Sequence, residues 1–315
     1  MTEQPRWVDA TALRRAVSAD RARRLIRQAL VDGLDPAAEP ARTSLSAGDG
    51  QLLVMPSASR RAAGVKVATV APGNPSKGLE RIQAVYVLFD AATLTPSALL
   101  DGAALTTLRT PAVSAVAIDC LAPQEVSRVV IMGSGPQAVG HAEAILAIRS
   151  PTSITVAGRA LDRARSAANR VRGLDGAPRV EALAVTDRQA LEEAVRSADV
   201  IVTATTAEAP VLDGSWVRDG ACVIAIGSHE PDRRELGSDL LGRSLVVVED
   251  LATARREAGD VVLAVADGAL EWGGVSTLTD LVCGRITRAT DRSNVFKGVG
   301  MAWQDLVVAE HATRL

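Results

Sequence analysis

Lysine is nearly missing from this 315-residue chain: the basic residues are almost all arginine, and lysine occurs only at Lys66, Lys77 and Lys297. Histidine is as scarce, confined to His141, His229 and His311 with no H-E-x-x-H pattern, which leaves no material for a histidine-rich metal site. The cysteines Cys120, Cys222 and Cys283 stand alone in apolar stretches without a C-x-x-C pair, so neither a metal knuckle nor a disulfide framework is expected, and all three read as buried, reduced thiols. The formal net charge of −2 gives no pull toward nucleic acid or an anionic membrane, and neither is expected as a partner. No apolar run is long enough to cross a bilayer, and the start, Met1-Thr2-Glu3-Gln4-Pro5-Arg6, lacks the charged-then-apolar build of a signal peptide. A cytoplasmic location is therefore expected.

What is present is the composition of a folded protein, 47% hydrophobic and 23% charged, at a length that suits two domains. Residues 8–32 carry apolar positions at helical spacing and predict one amphipathic helix ending near Gly33. Strands are expected at Leu52–Met55, Val65–Val70 and Ala84–Phe89, making an α+β unit. From Ser127 strands and helices alternate. Strands are expected at Arg128–Met132, Ile154–Ala157, Val180–Leu183, Val200–Thr203, Cys222–Ile226 and Leu245–Val248, with helices near 137–149, 160–171 and 188–198. This order predicts a doubly wound parallel sheet. The expected class is α/β: a Rossmann-type nucleotide domain, 120–298, beside a smaller α+β dimerisation and substrate domain, 1–119 with a closing helix in 299–315.

One loop gives the sheet a purpose. Gly133-Ser134-Gly135-Pro136-Gln137-Ala138 directly follows the Arg128–Met132 strand and opens a helix. Gly133 permits the tight turn, Gly135 lets the backbone approach a pyrophosphate, and Ala138 lets helix and strand pack closely. The helix N-terminus adds unpaired N–H groups and the positive end of a dipole. An NAD-preferring site presents an acid at the end of the second strand, but here Gly158-Arg159 stands there, and a guanidinium suits a 2′-phosphate. Asp162 reads as part of the next helix. NADP(H) is therefore expected over NAD(H).

Three cations outside that domain invite a role. Arg109 is the only charge between Gly102 and Ile118, and burying it unpaired would cost several kcal/mol. Thr110-Pro111 predicts a helix start beside it, where a bound carboxylate would be favoured; an internal salt bridge to Asp101 or Asp119 is the alternative. Arg42 lies in a polar loop and reads as solvated. Lys66, flanked by valines in mid-strand, points either to water or into a site, and periodicity does not choose.

These motifs, together with Arg42-Thr43, Gly64-Val65-Lys66, Gln83 to Asp90, Leu105 to Thr110, Ile226-Gly227-Ser228, Arg234-Glu235-Leu236 and Phe296 to Ala302, resemble the ornithine cyclodeaminase/μ-crystallin family over nearly the whole chain. The resemblance implies a homodimer built on the first domain. It also implies that Arg42, Lys66 and Arg109 hold the carboxylate of an amino or imino acid, and that Thr110 and Lys297 lie toward the cofactor; for Lys297 a helix-surface position is the alternative. Members that cyclise ornithine carry a catalytic Asp in a Gly-Gly-Asp segment and an acid for NAD. This chain has Gly227-Ser228-His229 at the first place and Gly158-Arg159 at the second.

Both departures favour net reduction. The expected reaction is NADPH-dependent reduction of a small 2-carboxy imine, such as pyrroline- or piperideine-2-carboxylate, to an amino acid. Lys66 would serve the carboxylate or the proton, and His229 is either a proton donor or a hydrogen-bonded structural residue. Alternatives are an amino-acid dehydrogenase or condensing imine reductase using a 2-oxo acid plus an amine, then an ornithine or lysine cyclodeaminase, then a non-catalytic nucleotide- or ligand-binding protein.

Overall fold

The computed structural model describes residues 4–314. Met1, Thr2, Glu3 and Leu315, which belong to the expected first domain and to the signal-peptide reading, lie outside the described residues. Two units are found, Met1–Thr110 with Gly300–Leu315, and Pro111–Val299. In chain order the first holds β1 (Arg6–Val8), α1 (Ala10–Ala16), α2 (Ala19–Val31), β2 (Thr43–Ala47), β3 (Gly50–Ala58), β4 (Ala62–Val70), β5 (Ile82–Asp90) and β6 (Pro96–Asp101). Helix α3 (Gly102–Leu121) contains the division between units, so the join falls at 110/111 instead of the expected 119/120. Unit 2 holds β7 (Arg128–Met132), α4 (Pro136–Leu146), β8 (Ser153–Gly158), α5 (Leu161–Arg172), β9 (Arg179–Ala184), α6 (Arg188–Arg196), β10 (Val200–Thr203) and β11 (Cys222–Ala225). It ends with α7 (Ser238–Gly242), β12 (Leu245–Val248), α8 (Leu251–Glu257), α9 (Gly259–Ala266), β13 (Val275–Thr277), α10 (Leu278–Val282) and β14 (Asn294–Lys297), after which α11 (Ala302–Ala312) returns to unit 1.

Unit 1 is a six-stranded sheet in the order β1-β6-β5-β4-β3-β2, antiparallel except for the β1/β6 pair. The helix expected over 8–32 is two helices. Val17 is extended and the Ser18 side chain accepts the Arg21 N–H, so the second helix begins with its own cap. Along β4 the residues Ala62, Gly64, Lys66, Ala68 and Val70 are buried and their neighbours are more exposed, which puts Lys66 on the inner face. Helix α11 packs on β3 and β4 over that face. The outer face keeps Val67 and its β5 partner Val85 exposed.

Unit 2 is an all-parallel eight-stranded sheet, β13-β12-β14-β11-β10-β7-β8-β9. The strand order reverses between β7 and β10, the switch point at which doubly wound sheets bind ligands. β10 and β11 are buried along their whole length, as strands covered on both faces are. β14 was not expected. It is four residues long and ends in Lys297, so it lacks the apolar run that betrays a central strand, and the Asn294 side chain is absorbed by bonds to the Ala289 N–H and carbonyl. Lys297 is accordingly a buried strand residue and not a helix-surface lysine.

The three cysteines are thiols, but only Cys222 is buried, its thiol pushed up to about 12 by burial. Cys120 is half-buried and Cys283 exposed, which corrects the expectation for those two. Among the described residues no helix is long and apolar enough to cross a membrane.

Candidate active site

In unit 1 the inner face of β4 and the first half of α3 converge on one carboxylate. Asp305 of α11 takes the Lys66 Nζ on Oδ2 at 2.8 Å and the Arg109 Nε on Oδ1 at 3.1 Å. Lys66 also donates to Thr106 Oγ1 at 3.2 Å, and Arg109 Nη1 donates to Gln304 Oε1 at 3.2 Å. Lys66 is 2% exposed and Arg109 5%. Arg42 is half-buried and donates to the Gly300 carbonyl at 2.8 Å, so it is not a solvated arginine. Gly300 has φ of +80°, and a Cβ there would stand 2.5 Å from Arg109 Nη1. The backbone at this point is shaped around the guanidinium.

The helix start expected at Thr110-Pro111 is not there. α3 begins at Gly102, where the Asp101 side chain accepts the Ala104 N–H at 2.9 Å, and it runs through Pro111. A proline inside a helix costs about 3 kcal/mol, and here the burial of Ala112, Val113, Ala115, Val116, Ala117 and Ile118 outweighs it. With Asp101 capping the helix and Asp119 paired to Arg149 at 2.9 Å, neither expected partner takes Arg109; Asp305 does. Thr110 belongs to unit 1, not to the unit that carries the glycine loop.

Burial, with Arg109 and Arg42 close by, lowers Lys66 to about 7 even though Asp305 works to raise it. Burial alone would raise Asp305, yet Arg109 and Lys66 hold its carboxyl below the usual range. Asp305 meets two buried cations, Lys66 and Arg109, and Arg42 lies close enough to act on Lys66.

In unit 2 the glycine loop leaves β7. Gly133 has φ of +139°, and its Cβ would lie 2.4 Å from the Ala204 carbonyl, so the turn and the close approach both require glycine. Gly135 caps α4, with Pro136 in the first turn, yet a Cβ on Gly135 would meet nothing within 4 Å. No protein atom demands a glycine there, which fits a backbone kept bare for a pyrophosphate. Ala138 is buried against the sheet. The end of β8 lies beside the loop, a Gly158 Cβ being 3.6 Å from Ser134 Cβ. Arg159 follows, exposed, and Asp162 sits in the first turn of α5 paired with Arg165, as the sequence implied. Gln137 offers its carbonyl to His141 Nδ1 at 2.7 Å, while His141 Nε2 meets Ser114 Oγ at 2.8 Å. Burial takes His141 down to about 4, so it is neutral near pH 7 and ties α3 to α4.

Lys297 is engaged by its neighbours. Its Nζ donates to the Ser228 carbonyl at 2.6 Å and Ser228 Oγ at 2.8 Å, and pairs with Asp260 at 2.9 Å. All three ammonium hydrogens are thereby directed within the protein. His229 follows Ser228 on the loop leaving β11 and is half-buried. The sequence reading had no place for Asp305, Asp260 or Gly300. Asp305, an acid in the first turn of a helix whose residues are mostly buried, was the available signal; Gly300 lay inside the quoted Phe296 to Ala302 stretch.

A switch-point glycine loop on a doubly wound sheet, in a chain that also buries Lys66 and Arg109 on one carboxylate, defines an oxidoreductase of the NAD(P)(H)-dependent class. The model of the Ornithine cyclodeaminase/mu-crystallin family matches residues 14–313, and the chain belongs to that family. It is 34% identical over 276 residues to the ketimine reductase mu-crystallin of Rattus norvegicus, covering 86% of this chain and 83% of the relative. It is 36% identical over 267 residues to Delta(1)-pyrroline-2-carboxylate reductase 2 of Burkholderia ambifaria, covering 84% and 80%. Among solved structures it is similar to the Thermococcus litoralis Delta(1)-pyrroline-2-carboxylate reductase in complex with NADH and L-proline, at a TM-score of 0.91 and 27% identity over 98% of this chain and 96% of that one.

Proposed function

We propose that this protein reduces the C=N bond of a small 2-carboxy imine, a cyclic ketimine of the pyrroline- or piperideine-2-carboxylate type, to the corresponding amino acid with NADPH. The observation that carries this is the buried cluster in which Lys66 and Arg109 meet on Asp305 with Arg42 close by, cationic donors of the kind that suit a substrate carboxylate. Arg109 and Arg42 hold that carboxylate and so orient the imine carbon; positioning of this kind lowers a barrier by several kcal/mol. Lys66, lowered to about 7, is half-protonated near neutrality and donates a proton to the imine nitrogen or adds to the carboxylate field. His229 is the other candidate donor. The bound nicotinamide supplies the hydride, and the Gly133 to Ala138 loop with the N-terminus of α4 would hold its pyrophosphate.

Arg159, exposed at the end of β8, supports a preference for the 2′-phosphorylated nucleotide. The uncovered apolar outer face of the unit 1 sheet supports a homodimer, and a cytoplasmic enzyme fits the scarcity of cysteine. An amino-acid dehydrogenase acting on a 2-oxo acid plus an amine would use the same clamp. The paired assay is NADPH oxidation with five- and six-membered cyclic 2-carboxy imines, against ammonia release from ornithine and lysine with NAD. Imine-dependent oxidation is expected; ammonia release without net nucleotide turnover would overturn the proposal.

A further inference from the structure

At the strand ends of unit 2 lies a network centred on buried carboxylates that the proposed chemistry does not use. Glu235 is 0% exposed and sits on no regular element, yet its carboxylate accepts four hydrogen bonds from two different strand exits. Oε1 takes the Thr205 N–H and Thr205 Oγ1, both at 2.7 Å; Oε2 takes the Gly227 N–H at 2.7 Å and Thr203 Oγ1 at 2.9 Å. Thr203 to Thr205 leaves β10 and Gly227 leaves β11, so one side chain fastens both exits.

The glycines around it record how closely the backbone is drawn in. A Cβ on Gly227 would lie 2.2 Å from the Thr205 carbonyl and 2.4 Å from Glu235 Oε1. Ala204, between the two fastened threonines, is the residue whose carbonyl a Gly133 Cβ would meet at 2.4 Å. The glycine loop therefore rests on a segment whose position Glu235 sets. Glu235 is itself held from behind: its N–H and that of Leu236 donate to Asp260 Oδ1 at 2.7 and 2.8 Å, and Asp260 Oδ2 takes Lys297 and Ser228 Oγ. Gly259, next to Asp260, has no room for a Cβ, the Arg233 carbonyl being 2.0 Å away. Burial raises Glu235 against Lys297 and Thr205, while Asp260, with burial opposing, is held low chiefly by Lys297.

We infer that Glu235 is a positioning residue for nucleotide binding, fixing the Ala204-Thr205 and Gly227 exits against the Gly133 loop, with Asp260 and Lys297 as its support. Lys297 on this account acts through Asp260 and Ser228 and does not touch the nucleotide. The inference rests on the nucleotide-binding reading above. A carboxylate is required because both oxygens face a backbone N–H. Glutamine in either orientation would turn an NH2 group toward one of those donors and leave it buried without an acceptor.

The test compares the wild-type chain with Glu235→Gln and Thr203→Val by nucleotide titration, using NADPH and NADH, and by amide hydrogen exchange without nucleotide. Glu235→Gln is expected to weaken binding about tenfold, the size of effect from one buried donor left unmade. Exchange at the Thr205 or Gly227 amide should quicken while β7 amides stay protected. Thr203→Val, which removes only a hydroxyl donor, should bind within about twofold of wild type. If Glu235→Gln does not fold, Gly227→Ala, which wedges the same exits apart, gives the same readouts. Unchanged affinity with unchanged exchange at both amides overturns the inference, as does a binding loss shared equally by Thr203→Val. A wild-type chain that binds neither nucleotide overturns the functional reading instead, and the exchange experiment still decides whether Glu235 fixes the two exits.

Discussion

Asp305 divides its two carboxylate oxygens between Lys66 Nζ, at 2.8 Å, and Arg109 Nε, at 3.1 Å, with all three side chains closed to water. A buried pair is a weak source of net stability, but removing one member leaves the others buried and uncompensated. Asp305→Asn should therefore cost about 3–5 kcal/mol in denaturant unfolding. The variant should be rescued in part by a bound carboxylic acid, which restores a negative charge among the cations. A loss under about 1 kcal/mol would mean the cations find another counter-charge.

Lys66 gives the site a pH dependence. Its folded value, about 7, lies below the ordinary lysine value of 10.5. Free enzyme that needs a protonated Lys66 loses kcat/KM as pH rises through about 7, so an alkaline limb is expected there and should vanish in Lys66→Met. Stability runs the opposite way. Between about 7 and 10.5 the unfolded chain binds the proton that the folded chain does not, so this group's contribution to unfolding free energy rises with pH across that window. Urea unfolding at both ends of the window should show the wild type gaining on Lys66→Met; a constant difference would remove Lys66 as the titrating group.

How much of this was legible follows from what each residue's neighbours reveal. The β7-Gly133-α4 unit is local, a strand, a turn and a helix in one stretch, and the alternation from Ser127 onward displays the sheet directly. The anion cluster is non-local. Arg109 announced a need for a partner, but Asp305 lies nearly two hundred residues on and is brought back only because α11 packs on β3 and β4. Thr110-Pro111 misled because its local signal, a cap followed by proline, was overridden by the Asp101 cap and by packing on both sides of the proline. β14 was hidden by brevity: a four-residue strand at the sheet centre needs no periodicity when neighbours on both sides fix its register.

Gly300 separates two costs of adding a side chain. Gly300→Ala meets an unfavourable φ of +80° and a clash 2.5 Å from Arg109 Nη1, whereas Gly33→Ala meets φ of +90° with nothing within 4 Å. Backbone strain alone costs about 1–2 kcal/mol. Both variants should lose that much stability, but only Gly300→Ala should raise KM for the carboxylate substrate, by displacing the guanidinium. Equal KM values in the two variants would separate Arg109 from substrate binding.

The outer face of the unit 1 sheet predicts an assembly. Val67 and Val85 are register partners and both exposed. Patches of this kind on a soluble protein mark an interface. Val85→Glu, with no buried contact to lose, should shift the chain toward monomer in light scattering while leaving nucleotide affinity unchanged. A monomeric wild type at micromolar concentration would refute the homodimer.

The proposed preference for NADPH rests on Arg159. It is exposed at the exit of β8, just beyond Gly158, whose Cβ position faces Ser134 of the glycine loop. That is the edge at which a doubly wound sheet meets the adenosine ribose, and the nearby acid in sequence, Asp162, is paired with Arg165 in α5. A charge-assisted bond is worth about 1.5–3 kcal/mol, or roughly 10- to 100-fold in affinity. Arg159→Ala should raise the KM for NADPH by that factor and leave NADH within about twofold, because only the phosphorylated ribose presents the anion. Arg159→Asp should go further, repelling the phosphate while offering an acceptor to the 2′-hydroxyl, so that the preference inverts. Steady-state kinetics with both nucleotides at fixed imine decides it: parallel losses for NADPH and NADH would show that Arg159 supports the loop and does not read the phosphate.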